Sequence, residues 1–515
     1  MRHLYPIGIQ NFQKIREDGY VYVDKTAAIH DLFHTGNYYF LSRPRRFGKS
    51  LLISTIQAYA EGKKELFKGL AMENLESDWL SYPIFHLDLN AQNYDSEDSL
   101  DSMLNDALSR WENVYGVRPS ETTSSLRFQG LIQRAAEQSG QRVVILVDEY
   151  DKPLLQSIGN ETLQDRFRNT LKAFYGALKS CDRYIRFAFL TGVTKFGKIS
   201  VFSDLNNLRD LSMLSKYADI CGITERELQS YFSEDIHLLA DTLDLSYEET
   251  CLKLKENYDG YHFSANGEGI YNPFSLLNTF VNLNLGSYWF ETGTPTYLVH
   301  LLQKHYFSLE RLENIVTDSA SLNMIDQNSL SPIPIIYQSG YLTITGYNKE
   351  FDTYMLGYPN REVKQGFIRF LLPYYTHVSQ TDSAFEIQLF TEDIRAGRVD
   401  EFMKRLQTFF ADTPYQIVSN REVHYQNVLY LIFRLLGFYV DVEYSTNRGR
   451  IDLVLKSDSK IYVMEFKLNG SADEALAQIN ENGYVEPFLT DGRKIIKVGV
   501  NFSDSIRNIK EWVVA

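Results

Sequence analysis

Short, fully apolar runs alternate with amphipathic stretches through the first 225 residues. The runs are YYFL at 38–41, IFHLDL at 84–89, VVILV at 143–147 and FAFL at 187–190. Between them, LLISTIQAYAEG at 51–62 and LQDRFRNTLKAFYGALKS at 163–180 place apolar residues at helical spacing. Strands that are apolar at every position are buried on both faces, which predicts a parallel sheet covered by helices on both sides. Residues 226–330 predict a mostly helical region, entered through TERELQSYF. Residues 331–415 mix short strands, YLTITGY and TYMLGYP, with helices, and residues 416–515 read as one helix, a run of strands and a second helix. The expected organisation is an α/β multidomain chain in four parts, 1–225, 226–330, 331–415 and 416–515. No solenoid repeat, low-complexity tract or long linker separates them.

The chain has 515 residues, with 52 Lys and Arg against 66 Asp and Glu, for a formal charge of −14. At 44% hydrophobic and 23% charged it is an ordinary globular composition. Its longest aliphatic run, Val143–Val147, is far short of the ~18 residues a membrane span needs. The N-terminal stretch has no apolar core of the signal-peptide kind, and the three scattered cysteines make no disulfide framework, so a cytoplasmic, membrane-free protein is expected. No CxxC, HxH or HExxH spacing exists, so a zinc site is not expected. The acidic balance argues against a whole-surface DNA binder and leaves room for a local basic groove.

The first chemical signal is Ser42-Arg43-Pro44-Arg45-Arg46-Phe47-Gly48-Lys49-Ser50, between an apolar strand and a helix. That context suits a phosphate-binding loop, with backbone N–H groups of Arg45, Arg46, Phe47 and Gly48 around the phosphates. Lys49 would reach the β- and γ-phosphates and Ser50 would ligate Mg²⁺. The pattern G-x-x-x-x-G-K-[ST] wants glycine at 43, where Arg43 stands, so the loop entrance must take another path. A basic turn capping a helix would look similar. The strand Val143–Val147 ends in Asp148-Glu149, which assigns Asp148 to the Mg²⁺ shell and Glu149 to the attacking water as general base. Thr191 and Thr194, at the end of the next strand, are candidate γ-phosphate sensors. Arg209 reads as a structural arginine more readily than as an arginine finger.

The second signal lies at 448–467, where Arg450–Leu455 and Ile461–Lys467 read as two strands around a turn at Ser457-Asp458-Ser459. Residues two apart on a strand share a face, so Glu465 and Lys467 point the same way, and hairpin pairing brings Asp452 to Glu465. Two carboxylates beside a lysine can hold Mg²⁺, or Mn²⁺, with a cation next to the reacting phosphodiester. The bland alternative is a surface ion pair. Glu422, about a helix upstream, and Gln478, in the following helix, are candidate supporting residues, and Arg448, Arg450, Lys467 and Lys494 could line a groove for phosphate.

With these residues in view, the chain resembles, nearly end to end, AAA-ATPase-like proteins with a C-terminal PD-(D/E)XK nuclease superfamily domain, a type best represented among Bacteroidetes. The resemblance rests on YPIGIQNFQKIREDGYVYVDKT, FLSRPRRFGKS, VVILVDEYDKP, LTGVTKF, SDLNNLRDLS, NYDGYHF, YQSGYLTITGY, LGYPNREV, GRIDLVL, MEFKL and ALAQI. It implies a P-loop ATPase fold followed by a restriction-endonuclease-like fold. It carries Lys49, Ser50, Asp148 and Glu149 over as nucleotide residues, Asp452, Glu465 and Lys467 as the nuclease core, and Glu422 and Gln478 as supporting positions. It also implies that Arg43 is a family trait, and it lends slight support to Tyr22 and Asp24 as adenine-side residues. The expected function is an ATP-controlled, Mg²⁺-dependent nuclease acting on DNA rather than RNA, in mobile-element or phage-defence biology, with an oligomer conceivable. The rival expectation is a nucleotide-dependent switch or scaffold that binds nucleic acid or a partner without cutting.

Overall fold

The computed structural model describes residues 4–195, 207–290, 296–304, 307–313, 315–323, 331–376, 379, 382–411, 421–437, 439, 441–447, 450–503, 505–506 and 508–515. Within these, the side chains of 296–297, 300, 304, 323, 383, 411, 421–424, 441, 443–447 and 450–452 are not described. The chain forms two compact units. The first comprises Met1–Thr292 and Asn314–Glu362, the second Gly293–Glu313 and Val363–Ala515. The boundary at 362/363 falls inside the 331–415 segment.

The apolar runs of the N-terminal part become strands β1 (Tyr38–Ser42), β2 (Ile84–Asp88), β3 (Val143–Asp148) and β4 (Ile185–Gly192), joined at the edge by the two-residue β5 (Arg209–Asp210). All neighbours pair in parallel in the order β2-β3-β4-β1-β5. Every residue of β1 and β3 is buried, as a sheet covered on both faces requires. The register aligns the C-terminal ends: Leu41 pairs with Thr191, Val147 with Leu190, and Asp88 with Asp148. Loops leaving β1, β3 and β4 therefore emerge on one edge, where open parallel sheets place their ligands.

After β5 the first unit turns helical. β6 (Ile223–Thr224) and β7 (Ile270–Tyr271) form a two-stranded ribbon around helices Glu225–Leu243 and Tyr247–Tyr258. Both helices open with a capping box, Thr224 with Glu227 and Ser246 with Glu249, which satisfies N–H groups that would otherwise lack acceptors. Leu228, Phe232 and Ile236 pack with Leu276 and Phe280 of helix Pro273–Asn282 into a core of their own. A small antiparallel sheet, β8 (Ile315–Asp318), β9 (Thr343–Asn348) and β10 (Thr353–Gly357), runs in the order β8-β10-β9.

The second unit is built on a mixed sheet of β11 (Asp441–Asn447), β12 (Arg450–Lys456), β13 (Lys460–Leu468), β14 (Lys494–Ser503) and β15 (Asn508–Val514), in that spatial order. β13 and β14 run parallel because helix Ala472–Glu481 crosses between them, and the other pairs are antiparallel. One face, with Ile461 and Val463, packs on Ile479 of that helix. The other, with Phe466 and Phe502, packs on Phe433 and Tyr425 of helix Arg421–Leu436. The chain is thus α/β, with a five-stranded parallel sheet, a helical middle region and a C-terminal mixed-sheet domain. No described helix is long and apolar enough to cross a membrane.

Candidate functional sites

In the first unit, the loop between β1 and helix Lys49–Ala60 turns on two left-handed residues, Arg46 (φ 65°) and Gly48 (φ 94°). Gly48 is the N-cap of that helix, and only glycine takes this φ without strain. Arg43 has no positive φ. It is 1% exposed, and its guanidinium donates to the carbonyls of Ser42 (2.9 Å), Ser212 (2.8 Å), Tyr217 (3.0 Å) and Ala218 (3.3 Å), over the ring of Phe263. Burial lowers its pKa. The arginine in the glycine position is therefore a buried staple between β1 and the 212–218 segment. Arg45 and Arg46 downstream are exposed.

Lys49 is buried, and its ammonium donates to the carbonyls of Arg43 (3.0 Å) and Pro44 (3.2 Å), spanning its own loop. A cavity of about 350 Å³ opens over this loop, lined among others by Arg45, Arg46, Gly48, Lys49, Ser50 and Glu149. That volume is within the range of small-ligand pockets. Glu149 holds φ at 51°, a left-handed conformation unusual for a residue with a Cβ. Beyond Gly48, a second, apolar cavity of about 100 Å³ is lined by Val21, Tyr22, Val23, Phe47, Leu52 and Ile223 among others. The two share Gly48, Leu51 and Leu277. Tyr22 reaches Thr55 at 3.4 Å, and Asp24 caps backbone N–H groups of Thr26 and Ala71.

Asp148 is 5% exposed and accepts a 2.7 Å hydrogen bond from the Thr191 hydroxyl on one oxygen. Thr194 donates instead to Asp151, from its hydroxyl and its backbone N–H, both at 2.6 Å. Both threonines are fully buried and do not line the cavity. Asp151 was not singled out by sequence reasoning. Burial pushes its carboxyl up to about 6, against the hydrogen bonds from Thr194. The signal was present in DEYD, whose third acid falls one turn beyond the pair. Ser50 lines the cavity, whereas Asp148, with one carboxylate oxygen held by Thr191, is not among its lining residues; a hydroxyl and a carboxylate are the donor types that a divalent cation of the Mg²⁺ kind takes.

In the second unit, Asp452 on β12 pairs directly with Glu465 on β13. Glu465 is fully buried, 3.9 Å from the Lys467 ammonium. Lys467 donates to the side-chain oxygen of Gln478, whose amide nitrogen lies 3.5 Å from the Tyr484 hydroxyl. Helix Ala472–Glu481 can approach because Gly499 has no side chain: a Cβ there would lie 2.1 Å from the Ala472 carbonyl oxygen. Glu465, Lys467 and Gln478 are thus brought together, with Asp452 opposite by register. The side chains of Asp452 and Glu422 lie outside the described residues, as does Arg448. Helix Arg421–Leu436, which carries Glu422, covers the Phe466 face, opposite to that of Glu465.

A family model described as a predicted AAA-ATPase matches residues 6–202, and one described as PD-(D/E)XK nuclease superfamily matches residues 420–512. The chain is 35% identical over 529 residues to an "Uncharacterized protein in vnfD 5'region" of Azotobacter chroococcum mcd 1, across 100% of this chain and 99% of that protein. No solved structure matches the chain. Matched along its whole length and at both constellations, the chain belongs to the AAA-ATPase-like family that carries a C-terminal PD-(D/E)XK nuclease superfamily domain.

Proposed function

We propose that the protein binds and hydrolyses ATP in its first unit and cuts DNA in its second, with Mg²⁺ at both sites and Mn²⁺ as a substitute at the nuclease-like one. The observation that carries the reading is the cavity of about 350 Å³ over residues 45–50, lined by Arg45, Arg46, Lys49 and Ser50, which shares Gly48 in its lining with a smaller apolar one. A triphosphate suits the first and a base the second. Lys49 moves from its own loop carbonyls onto the phosphates, and Arg45, Arg46 and Gly48 supply further donors. Ser50 and Asp148 hold the cation. Glu149 orients and deprotonates the attacking water. The Thr191 hydroxyl keeps Asp148 in place, so Thr191 and Thr194 act through the acids and not on phosphate directly.

In the second unit Asp452 and Glu465 hold the cation, which supplies Lewis acidity and an activated water. Lys467 stabilises the developing charge, and Gln478 fixes the Lys467 amine. The decisive experiment is cleavage of supercoiled, linear and single-stranded DNA with Mg²⁺ or Mn²⁺, with and without ATP. Lys49→Ala should lose ATP binding, Glu149→Gln should bind without hydrolysis, and Lys467→Ala and Glu465→Gln should lose cleavage with hydrolysis kept. Cleavage that persists in both of the last two variants refutes the nuclease assignment.

The complete burial of Glu465 and the engagement of Lys467 by Gln478 favour one second reading. In it the second unit binds nucleic acid or a partner without cutting, and ATP acts as a switch. Salt-dependent DNA binding without product under every condition supports that reading.

A further inference from the structure

Away from both constellations, two imidazoles and a carboxylate converge on the surface of the first unit. His30 and His34 lie one turn apart on helix Thr26–Thr35, with rings stacked at 4.0 Å between centroids and 26° between planes. Glu76 is the C-cap of the short helix Ala71–Leu75. One ligand atom from each of the three lies within 4.8 Å of the other two.

Glu76 and His34 are held in place from behind. The Tyr59 hydroxyl donates to Oε2 of Glu76, and the Asp78 N–H donates to Oε1 at 2.9 Å. Nδ1 of His34 lies 2.7 Å from the His30 carbonyl oxygen. A carbonyl only accepts, so Nδ1 donates to it, which leaves Nε2 as the ring atom available to a ligand. A ring N–H tied to a backbone carbonyl is the support that metal-binding histidines show. Asp31, next along the helix, is committed elsewhere, to Lys216 and Tyr217.

Two imidazoles and one carboxylate match the preference of zinc-type cations; Mg²⁺ and Ca²⁺ favour all-oxygen sets.

We propose that His30, His34 and Glu76 form a binding site for a divalent transition-metal cation of the Zn²⁺ type, separate from the two Mg²⁺ sites. His34 is exposed, so a water completes the coordination. The site ties helix Thr26–Thr35, which leads into β1 at Tyr38, to the turn after residue 75. It thereby braces the segment that enters the phosphate-binding strand. A search for local spacings passes over it because the third ligand comes from a different helix.

The test is titration of the metal-free full-length protein with Co²⁺, followed by visible absorption, and with Zn²⁺ by calorimetry. Wild type and Glu465→Gln should each take up Co²⁺ with d–d bands at this site. His34→Ala, and independently Glu76→Gln, should weaken that uptake by at least about tenfold. His34 is solvent-facing, so unchanged ATP binding in His34→Ala verifies its fold. Equal affinity in His34→Ala and wild type overturns the proposal. So do bands that vanish in Glu465→Gln and persist in His34→Ala, and so does displacement of Zn²⁺ by equimolar Mg²⁺.

Discussion

Arg43→Gly restores the glycine that the general phosphate-loop pattern expects, and the structure predicts that this restoration damages the protein. No positive φ exists at 43 for a glycine to relieve. The substitution strips a donor from four carbonyls, those of Ser42, Ser212, Tyr217 and Ala218. At about 1 kcal/mol net per hydrogen bond that is about 4 kcal/mol. Lost stacking on Phe263 adds about 1 kcal/mol, and the flexibility of glycine about 0.5–1 kcal/mol. Relief of the buried guanidinium's desolvation, together with water entering the vacated space, offsets part of this. We expect a net loss of about 4 kcal/mol, a large fraction of an ordinary domain's 5–15 kcal/mol. Trp79, Trp111 and Trp289 lie in the first unit and Trp512 in the second. Urea unfolding followed by tryptophan fluorescence in a Trp512→Phe background therefore reads the first unit. Arg43→Lys should fare little better, because an ammonium cannot reproduce the fork. A loss below about 1 kcal/mol for Arg43→Gly, within the ordinary range for a single substitution, refutes the staple.

Three further outcomes follow from single contacts. Asp151 titrates near 6 when folded and near 3.9 when unfolded, so between those values the folded state holds the extra proton. Its contribution to stability falls as pH rises from about 4 to about 6 and is level above. The difference in urea midpoint between wild type and Asp151→Asn should carry that slope, and a pH-independent difference contradicts it. Gly499→Ala sets a methyl 2.1 Å from the Ala472 carbonyl and 2.7 Å from the Leu476 nitrogen, both backbone atoms. It should destabilise the second unit by about 3 kcal/mol, read as a lowered melting temperature, and an unchanged melt argues against the close packing of that helix. Thr191→Val removes the hydroxyl that holds Asp148 at nearly constant volume, and should raise the Mg²⁺ concentration needed for ATP binding about tenfold. An unaltered Mg²⁺ dependence would leave Thr191 with a packing role only.

Features carried by local patterns were legible in the sequence. Strand, loop and helix around Gly48-Lys49-Ser50 announce themselves through adjacent residues, and so does the all-apolar strand ending at Asp148. The turn at 457–459 is short enough to fix which residues of β12 and β13 face each other, so the pairing of Asp452 with Glu465 could be read from spacing. Features that depend on distant partners were not legible. Arg43 reads only as a departure from the loop pattern until Ser212, Tyr217 and Phe263 are seen around it. Asp151 looks like one more acid after a strand until the Thr194 backbone is found donating to it. Thr194 itself reads as a sensor because its place after β4 is right, and only the three-dimensional contact shows its hydroxyl committed to Asp151.

The loop at residues 44–48 also shows why the helices between 225 and 282 fold with the parallel sheet in one compact unit. Phe47 packs edge-on against Tyr261 at 4.7 Å and Phe263 at 5.4 Å, and its carbonyl accepts from the Gly222 N–H at 3.2 Å. The Trp289 indole donates to the Arg45 carbonyl at 3.0 Å. Gly340 meets Pro44 so closely that a Cβ there would lie 2.6 Å from the proline ring. Residues 44–48 are therefore held by four segments drawn from 222 to 340, each far away in sequence. A nucleotide that pulls Lys49 off the Arg43 and Pro44 carbonyls changes the very loop those segments grip. Packed side chains and hydrogen bonds of this kind are what carries energetic coupling through a fold. Within the first unit, any displacement of residues 44–48 must therefore be met by Phe263, Trp289 and Gly340 together.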